Sequence, residues 1–165
     1  MQREHLDARS ARRNEDGFTL LELMMVILII AILIAVLMPV FAGAATRAKD
    51  RAVQSSLRNA VTAAKTVFAD KADYMQATAA TLAAQTGALV FVNAGTAPIG
   101  PNTISVAPVS ATYIVFGGLS KSGDCFYASD DASGAGTLYA KSAGSGGCAA
   151  TGAPLPGDAA WQKAW

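Results

Sequence analysis

Histidine is nearly missing from this chain: His5 is the only one, close to the amino terminus. A Ser-His-Asp triad, a Cys-His pair or a histidine metal site would have to be built on that one residue. Cysteine is almost as scarce. Cys125 and Cys148 make an even number without C-x-x-C spacing, which favours a single disulfide over a metal site. Net charge is also small, +1 at pH 7, so the surface as a whole is a poor electrostatic trap for nucleic acid. Lys121, Lys141 and Lys163 are too sparse to add a nucleic-acid argument. No phosphate-binding loop is present, because the glycines at 144, 146 and 147 follow no suitable strand and lack the lysine.

The most informative absence is local. Between Leu23 and Thr46 there is no charged side chain. At about 1.5 Å per residue, a helix from Leu23 to Ala45 exceeds a hydrocarbon core of about 30 Å. This block concentrates the apolar excess of a chain that is 52% hydrophobic, and the rest is rich in Ala, Gly, Ser and Thr. With 165 residues there is room for one domain besides the span.

Charge leaves the orientation of that span undecided. Arg3, Arg9, Arg12 and Arg13 precede it, while Arg47, Lys49, Arg51 and Arg58 follow it. The acids Glu4, Asp7, Glu15 and Asp16 balance the leading arginines. A disulfide between Cys125 and Cys148 persists only outside the cytoplasm, which places the amino terminus inside and the carboxyl terminus outside.

The block has three readings. Ala42-Gly43-Ala44 resembles a signal-peptidase site that would release a secreted binding domain starting at Ala45, yet the apolar run is longer than a signal-peptide core of about 7–15 residues. A plain membrane anchor is the second. Neither explains Glu22, at the threshold of the run, because an unpaired carboxylate there costs about 2.5–3.5 kcal/mol. The third supplies a partner. A chain cut after Gly17 begins with the amine of Phe18, which is mostly cationic near neutrality. In a stack of parallel helices, Glu22 of one subunit meets the Phe18 amine of its neighbour and fixes the register between them.

Gly17-Phe18-Thr19-Leu20-Leu21-Glu22, followed by the charge-free run, resembles the class III signal sequence of type IV pilins and pseudopilins. The strong likeness covers residues 13–45 and extends loosely to about residue 72. The resemblance implies that residues 1–17 are a leader, longer and less basic than many in the family. It implies cleavage between Gly17 and Phe18 by a prepilin peptidase, N-methylation of Phe18, and assembly through Glu22 into a filament. The partners it implies are copies of the chain and other pilins, an inner-membrane assembly platform with its cytoplasmic ATPase, and the membrane before assembly. The expected locations are a single-pass precursor in the cytoplasmic membrane and an extracellular filament. A chain starting at Phe18 has no histidine, and neither enzyme activity nor a cofactor is expected. A type II secretion pseudopilin is the alternative within the same family.

Pro39 removes a helix hydrogen bond and predicts a kink or local unwinding, with Gly43 as a second weak point. In the family such a proline allows helicity to be lost on packing, so Pro39 and Gly43 together read as a flexible joint. From Val53 to Phe68, apolar residues recur every three or four positions opposite Arg51, Ser55, Arg58, Thr62 and Lys65. The expected division is thus 18–45 as a transmembrane or filament-core half, 46–73 as an amphipathic half, and 74–165 as a globular head. From Phe18 the helix would run roughly 55 residues, or about 80 Å.

In the head, residues 78–85 read as a short helix ended near Gly87, and ALVFVNA as a short strand. Residues 103–109, 112–120 and 137–142 read as strands, with Lys121-Ser122-Gly123 turning into a further strand, DCFYAS. The fold class is therefore α+β, a long helix packed on an antiparallel sheet of three or four strands. Residues 143–157 read as irregular. A disulfide closing the loop 125–148 is credited with roughly 3 kcal/mol by chain entropy, and it matches the C-terminal disulfide loop of many pilins. Asp124, Asp130 and Asp131 match no standard calcium loop and read as solvated turn acids. Trp161 and Trp165 read as an i, i+4 pair packed on the head.

Overall fold

The computed structural model describes residues 17–144 and 147–165. The expected leader, His5 included, lies outside the described residues apart from Gly17, as does Gly146 of the disulfide loop. The chain divides into two units, residues 1–41 and 42–165. In the first, residues 17–41 are exposed throughout, and from Leu20 they form the opening part of helix α1, Leu20–Lys71. Among the described residues α1 is the one helix long and apolar enough to cross a membrane.

The second unit is built on the amphipathic part of α1. Val53, Leu57, Ala60, Val61, Ala64 and Val67 recur at helical spacing and are all buried. The helix stops at Ala72, whose φ of 52° is left-handed, and its N–H donates to the Phe68 carbonyl at 2.6 Å. Glycine ordinarily fills such a position, and this chain has alanine there. A single 3₁₀ turn, Tyr74–Gln76, leads to α2, Ala79–Gln85, capped by the Thr78 hydroxyl.

Five strands follow: β1 Val90–Asn93, β2 Thr103–Pro108, β3 Tyr113–Leu119, β4 Cys125–Asp131 and β5 Gly136–Ser142, paired in that order. The strand segments read from the sequence are all present, but the sheet is mixed rather than antiparallel, and it has five strands rather than three or four. Val90 lies beside Thr103 in a parallel β1–β2 pair, and the other three pairs are antiparallel. A connection this short falls below the dozen or more residues that a parallel crossover ordinarily needs. Here residues 94–102, with Pro98 and Pro101, return to the start of β1, where Val90 N–H donates to the Asn102 carbonyl at 2.9 Å.

Alternation along the strands covers both faces of the sheet. Ile104, Val106, Ile114, Phe116, Phe126 and Ala128 join the helix in the main core. Ala107, Val115, Cys125, Tyr127 and Ala140 face the other way, under the segment that carries Cys148, Ala150 and Trp161. That segment is irregular, as expected, apart from one 3₁₀ turn, Ala150–Gly152. Two adjacent glycines of β3 set the spacing of these layers. A Cβ on Gly118 would lie 2.6 Å from Val53 Cγ2, and one on Gly117 would collide with the Cys148 carbonyl on the opposite face. Fully buried Ser105 ties the outer layer down, accepting from Ala150 N–H at 3.0 Å and donating to the Asn93 and Ala94 carbonyls.

The two tryptophans do pack on this unit, but not as a helical pair. Gln162 bridges to Tyr139 of β5, so the tail here is extended rather than helical. Trp161 enters the outer cluster and donates to the Pro154 and Leu155 carbonyls, while Trp165 stacks against Phe126 and Tyr139 of the main core.

Candidate functional site

The first candidate site is the start of α1. Gly17 and Phe18 precede the helix, and Phe18 is 87% exposed. Thr19 and Glu22 cap each other. Glu22 N–H donates to Thr19 Oγ1 at 3.1 Å, and Thr19 N–H donates to Glu22 Oε2 at 3.1 Å. The Thr19 hydroxyl adds a bond to the same carboxylate oxygen at 2.9 Å. This reciprocal arrangement satisfies donors that a helix start leaves open. Glu22 thus has a partner within its own chain, one that the T-x-x-E spacing signals. The carboxylate remains exposed and can accept further donors.

Beyond Glu22 the helix presents Leu23, Met24, Ile27, Leu28 and their neighbours as exposed apolar side chains, none of them buried by this unit. An unbroken apolar surface of this kind marks contact with lipid or protein. Helix α1 continues through Pro39 and Gly43. Gly43 lies in a helical stretch, where its missing side chain lowers the cost of bending.

Cys125 and Cys148 form the expected disulfide, with Cα atoms 5.1 Å apart. It joins the first residue of β4 to the outer segment that lies over Gly117.

The three carboxylates expected to be solvated turn acids have three different settings. Asp130 is a correction: it lies on β4, not in a turn, and is 3% exposed. Strand β4 extends to it because its hairpin with β5 pairs as far as Asp131 and Gly136. Tyr74 Oη donates to Asp130 Oδ2 at 2.5 Å, Thr137 Oγ1 donates to Oδ1 at 2.5 Å, and Lys65 Nζ approaches Oδ1 at 3.0 Å. Burial, then the bond to Asp130 and its charge, push the Tyr74 phenol well above its ordinary value. Asp124 is also not free in solvent, since it pairs with Lys141 at 2.7 Å. Asp131, the half-buried last residue of β4, accepts from Ser133 in the turn that follows.

A second polar cluster centres on Asp50 of α1. Its Oδ1 accepts from Ser122 Oγ at 2.5 Å and Ser120 Oγ at 2.7 Å, and Lys141 lies 3.5 Å from Oδ2. Burial pushes the Asp50 carboxyl up, but the two serine bonds and the lysine charge outweigh it and hold it below its usual range. Lys141 in turn is raised by its bond to Asp124. The Asp50 and Asp130 clusters fasten α1 to the sheet at separate places along the helix. Among the described residues, no group of three His, Cys, Asp or Glu side chains is arranged to hold a metal ion.

Compared with known proteins, the chain matches the family described as the prokaryotic N-terminal methylation motif over residues 12–38. This is the motif of type IV pilin-like proteins and pseudopilins, and it implies processing by a prepilin peptidase and assembly into pilin-type filaments. No curated protein and no solved structure matches the chain.

Proposed function

We propose that this chain is the structural subunit of a type IV pilus-like extracellular filament, made as a membrane-anchored precursor. The observation that carries the reading is the methylation motif at residues 12–38, running into a helix whose opening apolar run is exposed. A peptidase cuts between Gly17 and Phe18, residues 1–17 are discarded, and the new amine is methylated. The amine remains chargeable after methylation. Glu22 of a neighbouring subunit then meets it, while Thr19 holds the carboxylate at the helix start. Residues 18–45 pass from lipid into the filament core, with Pro39 and Gly43 as the joint, and residues 74–165 form the outward head. An assembly platform with its ATPase supplies the work.

The test is the intact mass and amino-terminal sequence of the mature protein. A start at methylated Phe18, with the mass of a chain holding one disulfide, supports the reading. A start at Ala45 overturns it, because Glu22 would have been discarded with a signal peptide. Surface filaments in the producing cell, rather than a secretion defect on deletion, separate a pilin from a type II secretion pseudopilin.

A further inference from the structure

Arg47, Lys49 and Arg51 lie on α1 just beyond the apolar run, and all three are exposed. Among the described residues none of them forms an ion pair with a carboxylate; the pairs present belong to Lys65 and Lys141. The one acid in their midst does not cancel them. Asp50 is committed to Ser122, Ser120 and Lys141. Arg47 also reaches back along the helix: a Cβ on Gly43 would lie 3.8 Å from its terminal nitrogen. Its guanidinium is therefore carried one turn toward the apolar run, as helical side chains tend to be.

We propose that Arg47 and Arg51 on one face of α1, with Lys49 on the opposite face, ring the helix with docking contacts for the phosphate headgroups of anionic phospholipids while the precursor waits in the bilayer. This rests on the reading of residues 18–45 as a membrane span. Three uncancelled cations immediately after such a span lie at headgroup level. Each Lys or Arg near an anionic surface adds to its attraction, and the arginine fork matches phosphate geometry. The contacts hold the precursor at a fixed depth, and they must break when the helix leaves the membrane.

The test reconstitutes the full chain in nanodiscs holding phosphatidylcholine and phosphatidylglycerol in equal amounts, then reads the lipids retained by native mass spectrometry. Phosphatidylglycerol should be retained in excess by on the order of tenfold, and the excess should shrink as salt is raised. The variant R47Q/K49Q/R51Q should retain both lipids equally, while K163Q should keep the preference. Equal retention on the unaltered chain, or a preference that survives the triple substitution, overturns the proposal. Competition by inorganic phosphate at matched concentration overturns it in favour of a free-anion site. Charge-dependent pairing of chains in phosphatidylcholine alone overturns it in favour of a second copy. Chains that fail to co-elute with the nanodiscs overturn the membrane-span reading itself, which is scored separately from lipid preference.

Discussion

The Tyr74 hydroxyl donates to Asp130 Oδ2 at 2.5 Å, joining the turn after α1 to the middle of the polar cluster on β4. Both residues are almost completely buried. Lys65 and Thr137 reach the other carboxylate oxygen, so one aspartate ties together the helix, the turn and two strands. Asp130→Ala would leave the Tyr74 hydroxyl without its acceptor, at a cost of about 1–3 kcal/mol. Denaturant unfolding should show a lower midpoint. An unchanged midpoint would mean that the cluster adds no net stability.

Tyr74 also predicts alkaline weakness. Its phenol is held above the ordinary tyrosine value, so the folded chain keeps a proton that the unfolded chain releases near pH 10. The stabilisation is complete below that unfolded value and is lost as pH rises from there toward the folded one. Thermal melts across this range should fall more steeply for the unaltered chain than for Tyr74→Phe, which starts lower. Parallel curves would contradict this.

Gly118 has no room for a methyl group. Alanine there would drive its Cβ to 2.6 Å from Val53 Cγ2, and overpacking of this kind costs about 1–3 kcal/mol. The double variant G118A/V53A should recover part of the lost melting temperature, because the second change removes the atom in the way. Equal loss in the single and double variants would place the strain elsewhere.

Ala72 offers the opposite sign. Its φ of 52° costs an L-residue roughly 1–2 kcal/mol that glycine does not incur. Ala72→Gly should therefore be neutral or stabilising, after glycine's greater freedom in the unfolded chain is offset. A clear fall in melting temperature would refute this account of the helix end.

Glu22→Ala removes both the carboxylate that accepts from Thr19 N–H and hydroxyl and the proposed partner of the Phe18 amine. The proposed cleavage after Gly17 should proceed largely unchanged, since Gly17 and Phe18 precede the helix, but filament yield should collapse. The measurement pairs amino-terminal sequencing with electron microscopy of sheared surface protein. Normal filaments from this variant would sink the register argument.

Most of the elements were legible because their signals are local. The charge-free run, the spacing of Val53, Leu57, Ala60, Val61, Ala64 and Val67, and the β-branched strand segments each specify an element without reference to distant residues. The Thr19–Glu22 cap is just as local, since its T-x-x-E spacing lies within one turn of the helix start. The parallel β1–β2 pair was not legible, because its connection is shorter than a parallel crossover ordinarily needs.

The sequence by itself determined the helix, its apolar run, the Gly17–Phe18 and Glu22 positions and the pairing of the only two cysteines, because these depend on residue order and on the number of partners. Tertiary structure alone decided the fate of the polar side chains. Asp130 resembles Asp131 in sequence, yet the pleat of β4 turns neighbours to opposite faces. One is sealed against Tyr74, and the other, at the strand's end, accepts from Ser133 of the turn. Gly117 and Gly118 divide in the same way, one under the disulfide segment and one against α1. Which face meets the helix depends on register across the whole sheet, and no local stretch of the chain carries that information.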